Sequence, residues 1–249
     1  NPTMILQATD ISFSYIKESS LLKSVSLEIK AGDFLGILGR NGSGKTTLLK
    51  ILSGYLKPLA GNIKLQGKDL HMYTVKDLAK LRAYAPQASH LEFDFTVEEV
   101  VAMGRVPYAG TSASAKDKEQ IDRAIAEYDL QEFRGRNVRT LSGGEWQRVV
   151  LARVLAQDTE IIFLDEPTHF LDIKHQLELL TGLEKLKKQG KTIVAVLHDL
   201  HLARRFCSNV IMLQADQQSI SGGTAELLST QKIMDTYNVN SEVAEFFSK

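Results

Sequence analysis

The sequence predicts an α/β fold, a core of mostly parallel sheet interrupted by an inserted helical segment. Three observations carry this expectation. The apolar run Asp33 to Leu38 leads directly into a glycine-rich turn and then a helical stretch. From Glu160 onward, strand patterns (160–165, 192–197, 210–214) alternate with helical ones, the order that lays strands parallel in a sheet. Between these regions, from about Val97 to Gln157, the apolar spacing is helical.

Taken in order, residues 3–30 read as short strands: Ile5, Ala8 and Ile11 to Tyr15, then Val25 to Lys30, whose alternation suits a half-buried strand. Lys45 to Leu56 reads as a helix that Pro58 ends. Ile63-Lys64-Leu65 alternates again before Gly67. Ile121, Ala124, Ile125 and Tyr128 repeat at helical spacing, and Val106 to Lys118 is small, polar and loop-like. Ser221 to Lys249 reads as a helical tail with no assigned chemistry. The whole chain is expected to be one domain, with its core in 1–87 and 159–249 and the insert at about 88–158.

The 249 residues are 43% hydrophobic, enough to bury one core with room for an insert. Thirty basic residues balance thirty acidic ones, which argues against a strongly basic nucleic-acid binder. The single cysteine, Cys207, allows no intramolecular disulfide and fits a reducing compartment as a small buried residue. No stretch reaches the ~18 apolar residues of a membrane span; the run Val149 to Ala156 is broken by Arg153. The N-terminus shows no basic-then-apolar signal pattern. The expectation is a cytoplasmic chain that reaches the inner face of the membrane only through a partner.

Gly39-Arg40-Asn41-Gly42-Ser43-Gly44-Lys45-Thr46 matches G-x-x-x-x-G-K-[ST]. Its glycines let backbone N–H groups turn inward around phosphates, and the following helix adds its positive end. Lys45 supplies a mobile charge for the β- and γ-phosphates, and Thr46 a hydroxyl for Mg²⁺. Ile161-Ile162-Phe163-Leu164 is an apolar strand that ends in Asp165 and Glu166. Ligands of open α/β sheets bind at such carboxyl ends. Asp165 is then a Mg²⁺ ligand, and Glu166 a general base for an attacking water.

Leu141-Ser142-Gly143-Gly144-Glu145 opens an amphipathic helix, with Ser142 and Glu145 at capping-box spacing. Two glycines at a helix start also leave N–H groups for an anion. This pentapeptide resembles the signature motif of ATP-binding-cassette (ABC) ATPases. It stands in the family's order with the glycine loop and the acidic strand end. The resemblance covers nearly the whole chain. It implies a P-loop NTPase core with an antiparallel β subdomain and an inserted α-helical subdomain.

It also implies roles. Tyr15 is similar to the aromatic that stacks on adenine. Gln87, in Ala85-Pro86-Gln87, resembles the Q-loop glutamine, which joins the catalytic group and the Mg²⁺ ligands. His198 resembles the switch histidine that contacts the γ-phosphate, and Leu171-Asp172 the D-loop. ATP would bind through Gly39 to Thr47, and through Ser142, Gly143 and Gly144 of a second copy in a head-to-tail homodimer. His169 departs from the family, which usually carries a small residue there. His71, His90, His169, His175 and His201 form no trusted metal-ligand grouping, and Trp146 reads as a packing residue.

Translation-associated relatives carry two cassettes with a charged linker, and chromosome-associated ones a long coiled coil; this sequence has neither. The resemblance therefore points to a transporter ATPase that serves separate membrane permease subunits and, through them, an extracytoplasmic binding protein. Thr96 to Arg105, and Asp165 to Gln176 with its Leu171-Asp172-Ile173 and His175-Gln176, are similar to ATPases of iron-siderophore, haem and cobalamin importers. Importers of metal ions or oxyanions remain the alternative, ahead of a non-transport role on ribosomes or DNA.

Overall fold

The computed structural model describes residues 3–16, 20–87, 94–169, 171–214 and 216–248. The chain divides into two compact units, Asn1–Tyr73 with Leu186–Lys249, and Thr74–Lys185. In chain order the first contributes β1 (Met4–Phe13), β2 (Leu22–Lys30), β3 (Phe34–Gly39), α1 (Lys45–Leu52), β4 (Ala60–Leu65) and β5 (Lys68–Asp69). The second holds α2 (Val75–Leu81), β6 (Arg82–Ala85), α3 (Val97–Ala102), α4 (Asp117–Glu127), α5 (Gly143–Gln157), β7 (Ile161–Leu164) and most of α6 (Ile173–Lys188). The chain returns to the first unit with β8 (Thr192–Val196), α7 (Leu200–Phe206), β9 (Asn209–Leu213), β10 (Ser219–Gly223), α8 (Thr224–Leu227), α9 (Thr230–Tyr237) and α10 (Ser241–Ser248).

Two sheet segments build the first unit. One is antiparallel, in the order β2-β1-β4-β5. In β2, Leu22, Val25, Leu27 and Ile29 are buried and the residues between them exposed, as a sheet with one wet face requires. In the other, β3 runs parallel between β8 and β9, and β10 closes the edge antiparallel to β9. All of β3 is buried. Phe34, Ile37 and Leu38 meet a core that includes Leu48, Leu49, Ile51 and Leu52 of α1, each fully buried. Each such side chain contributes about 1.5–3 kcal/mol of transfer free energy against the chain entropy. Gly36 makes room for Cys207: a Cβ there would lie 2.9 Å from its Sγ. Burial pushes that thiol up to about 12, so Cys207 acts as packing.

In the second unit β6 and β7 pair in parallel, and the N–H of Asp165 extends their ladder to the Ala85 carbonyl at 2.9 Å. A capping box of Thr96 and Glu99 opens α3, which buries Val97, Val100 and Val101. The α5 helix packs on α3 and α4. Gly104 lies so close to α5 that a Cβ would stand 2.3 Å from the Arg153 carbonyl. The Arg105 guanidinium, 6% exposed, bonds Asp117 at 2.7 Å and the Ala156 carbonyl at 2.8 Å, over the Tyr108 ring. Within the stretch 96–105, Val97, Val100, Val101, Gly104 and Arg105 are buried, while Thr96 and Glu99 cap the helix.

The antiparallel subdomain, the parallel strands and the helical segment agree with the expected fold class. Some elements differ from expectation. The first helix ends at Leu52, not near Pro58: the Ser53 hydroxyl bonds the Leu49 carbonyl at 2.8 Å, and Gly54 turns the chain at φ +78°. Residues 106–118 are not a plain loop; tight 3₁₀ turns span Met103–Tyr108 and Ser112–Lys116, before α4. The tail begins with β10 before its helices, because Ser219 to Gly223 pair with β9. Both α2 and β6 lacked an expectation. Among the described residues no helix is long and apolar enough to cross a membrane. His90 lies outside the described residues.

Candidate active site

The first unit carries the glycine loop between β3 and α1. At its start Gly39 has φ +147°, and a Cβ would stand 2.7 Å from the Ser43 Oγ and 2.8 Å from the Leu213 carbonyl. Only glycine fits there. Gly44, at φ +95°, occupies the N-cap of α1. That helix has no side-chain cap and no acidic residue in its first turn. By contrast Thr74, Thr96, Ser142 and Asp199 cap α2, α3, α5 and α7 with their own oxygens. The positive end of α1 is therefore left for an external anion.

Two further features suit phosphate. Lys45 is 5% exposed, and its ammonium donates to the carbonyls of Gly39 (3.0 Å) and Arg40 (2.9 Å), which holds the charge over the loop. The Ser43 hydroxyl is buried with no protein partner, an orphan that a phosphate oxygen would satisfy. Asn41 and Gly42 are exposed, Thr46 half-buried and Thr47 buried. The Tyr15 hydroxyl lies 3.2 Å from the Thr47 Oγ1, and its ring, 65% exposed, meets Phe13 edge-on at 4.9 Å. An exposed ring braced in this way is a ready stacking surface. His198, just past the end of β8, lines one open cleft of ≈ 390 Å³ with Gly39, Arg40, Asn41, Tyr237 and Val239.

The second unit carries the acids. Asp165 is buried at the end of β7 and accepts from the Tyr84 hydroxyl at 3.3 Å. Glu166 follows with φ +48°, a left-handed conformation that costs a non-glycine residue about 1 kcal/mol or more. The Gln87 amide donates to its Oε2 at 2.9 Å, and the His169 Nδ1 lies 3.7 Å from the same oxygen. The structure thus joins Gln87 to Glu166 and seats the unusual His169 beside them. The oxygen donors of Thr46, Asp165 and Gln87 are of the hard type that Mg²⁺ takes.

Ser142 caps α5 as its spacing predicts. Its N–H donates to the Glu145 carboxylate at 2.7 Å, and its Oγ accepts from the Glu145 N–H at 3.3 Å. The first of these bonds holds the Glu145 carboxyl below its ordinary range. Gly143 is open: an added Cβ would meet nothing within 4 Å. Gly144 faces the His175 ring: a Cβ would lie 3.4 Å from its Cδ2. His175 in turn bonds the Asp172 carboxylate through its N–H (2.9 Å) and Nδ1 (2.8 Å), which lowers that carboxyl. Trp146 is 4% exposed, a packing residue.

Tyr84 and Tyr237 escaped sequence reasoning. Tyr84 reaches Asp165 only through the β6–β7 register, which no local pattern announces. Tyr237 sits far along the chain from Gly39, whose N–H it accepts at 3.1 Å.

A parallel α/β core with a glycine loop before an uncapped helix defines a phosphate-loop nucleoside triphosphatase. Residues 22–169 match the family model described as ABC transporter. The chain is 37% identical over 242 residues to the hemin import ATP-binding protein HmuV of Rhodopseudomonas palustris (strain BisA53), covering 94% of this chain and 88% of that protein. Its fold is similar to that of an ABC transporter assigned to the metal-chelate type, in an inward-facing conformation (TM-score 0.83, 27% identity, 95% of this chain and 90% of that one). It is also similar to the ATP-binding cassette MJ0796, solved as a dimer in a post-hydrolysis state with ADP and Pi (TM-score 0.78, 29% identity, 88% and 99%). The chain belongs to the ABC transporter family, as an ATP-binding subunit that hydrolyses ATP for transport.

Proposed function

We propose that this chain powers an importer of a large metal chelate, an iron-siderophore, haem or cobalamin, with haem as the leading cargo. The likeness to a hemin import ATPase over 94% of the chain carries the cargo reading. The glycine loop, with its buried lysine and orphan Ser43 hydroxyl, supports the site of ATP. Two copies associate head to tail on separate permease subunits at the inner face of the membrane. An extracytoplasmic binding protein delivers cargo to the permease. The segment of about 88–158 is the helical insert that faces the permease.

The chain's own residues then divide the work. Gly39 to Thr47 grip the phosphates with N–H groups, and Lys45 exchanges carbonyl partners for phosphate oxygens. The Tyr15 ring stacks on adenine. Glu166 accepts the proton of the attacking water, and His198 donates to the γ-phosphate. Gln87, whose amide already holds Glu166, relays the state of that base to the insert. Mg²⁺, when bound, neutralises phosphate charge, with Thr46, Asp165 and Gln87 as its protein donors. Ser142, Gly143 and Gly144 of the second copy clamp the γ-phosphate with a helix start, so loss of that phosphate reopens the dimer.

The test is reconstitution with its permease in vesicles loaded with Mg-ATP, presented with binding protein and haem, a ferric siderophore, cobalamin or molybdate. Uptake of a metal chelate that stops in Lys45→Ala is the expected result. Uptake of molybdate instead of the chelates favours the oxyanion alternative and overturns the cargo reading.

A further inference from the structure

We propose that Tyr237, the last residue of helix α9, is a positioning residue that sets the start of the phosphate loop and so tunes ATP affinity. The inference rests on the reading of residues 39–47 as the ATP phosphate site. Tyr237 lies outside the span 22–169 that defines the family match, so nothing in that match assigns it a role.

The argument begins at Gly39, the pivot where β3 becomes loop. Its backbone has φ +147°, and an added Cβ would collide with the Ser43 Oγ and the Leu213 carbonyl. Its N–H leaves the strand and donates to the Tyr237 hydroxyl at 3.1 Å. The carbonyl of the same residue holds the Lys45 ammonium at 3.0 Å. One peptide position is therefore tied on its N–H side to α9 and on its carbonyl side to the phosphate-binding lysine. A shift of Gly39 moves the lysine's anchor with it, because both bonds are made by one residue.

The helix that supplies Tyr237 is fastened to the first unit. Ile233 and Thr236 are buried, and α9 packs on α10. Asn238 ends the helix in the left-handed conformation, with its N–H on the Met234 carbonyl at 2.8 Å, and this fixes the last turn that carries Tyr237. Burial pushes the Tyr237 phenol up to about 12, so it stays a neutral hydroxyl at working pH. A neutral hydroxyl both accepts and donates. While it accepts from Gly39, its own proton remains to be given within the cleft it lines with Arg40, Asn41 and His198. A phenolate there would repel the triphosphate, so burial keeps the group compatible with its neighbour.

Three variants of the full chain test this. Tyr237→Phe keeps the ring and removes the oxygen, leaving the Gly39 N–H unpaired. Its ATP KM and the Kd for a non-hydrolysable ATP analogue should rise about tenfold, with kcat at saturating ATP within about twofold of wild type. Ile233→Val loosens α9 without touching Gly39; it should lower the melting temperature and leave the ATP KM unchanged. Lys45→Ala reports on the underlying site reading and should lose ATP binding. Wild-type KM and Kd in Tyr237→Phe would overturn the inference. So would an ATP KM raised as much by Ile233→Val, since that would assign the effect to helix packing. Undiminished ATP affinity in Lys45→Ala would instead overturn the site reading itself.

Discussion

Substitution of Ser142 separates the helix cap that the structure shows from the phosphate clamp proposed for the same hydroxyl. Its Oγ accepts from the Glu145 N–H at 3.3 Å, while the shorter bond of the box, at 2.7 Å, uses the backbone of Ser142 and survives any side-chain change. Ser142→Ala therefore loses only the longer bond. Cap removal costs about 0.5–2 kcal/mol, and the length of this bond puts the loss near the low end, about 0.5–1 kcal/mol. In a chain of this size that lowers Tm by about 1–4 °C. Ser142→Asp restores a cap of equal quality and should melt within about 1 °C of wild type. In the proposed head-to-tail dimer, however, its carboxylate replaces a donor with a negative charge facing the γ-phosphate of the opposing copy. Like charges about 4 Å apart at an effective dielectric of about 20 repel by about 4 kcal/mol. The aspartate variant should therefore show less than about 1% of wild-type ATPase activity and no ATP-dependent dimer. Thermal melts without nucleotide, steady-state hydrolysis and size-exclusion chromatography with Mg-ATP give the three readouts. A normally melting Ser142→Asp protein that hydrolyses ATP at the wild-type rate would reduce Ser142 to a cap and refute the clamp.

Other perturbations have equally definite outcomes. Glu166→Gln removes the proposed base but keeps an acceptor for the Gln87 amide, so turnover should fall about 10²–10⁴-fold while ATP still binds and the dimer accumulates; brisk turnover would remove Glu166 from that role. Gly104→Ala forces a methyl to within 2.3 Å of the Arg153 carbonyl and should destabilise by about 1–3 kcal/mol in chemical denaturation, and an unchanged midpoint would contradict the packing described. The Glu145 carboxyl is lowered by the Ser142 N–H, so its stabilisation is present above the ordinary glutamate range and is lost as pH falls through the lowered value. The Tm gap between wild type and Glu145→Ala should be widest near neutrality and close as pH drops below about 4. A gap that stays constant into acid would exclude the charged cap.

The chemistry was legible wherever it depends on residues close together in the chain. The glycine loop and the capping box of Ser142 and Glu145 are local and legible from spacing, and the acids after β7 gain meaning only beside the loop. Local punctuation was also where sequence reading slipped. Pro58 was an obvious helix stop, but the Ser53 hydroxyl and Gly54 stopped α1 first, because a side chain competing for helix carbonyls leaves a weaker pattern than a proline. The likeness of the run 96–105 to one importer group stands beside its local role: its valines and Gly104 pack near α5, and Arg105 bonds Asp117.

Composition, periodicity and motif order determined that this is an α/β chain with a triphosphate loop and a second glycine-marked helix start. Those features follow from backbone preferences and short-range spacing, which a linear sequence states directly. Tertiary structure decided which distant groups attend the chemistry. It set the Tyr84 hydroxyl on Asp165, the Gln87 amide on Glu166, the His175 ring against Gly144 and the Tyr237 hydroxyl on the Gly39 N–H. Those pairings depend on strand register and on where a helix comes to rest, and both are fixed by burial of apolar faces that are far apart along the chain.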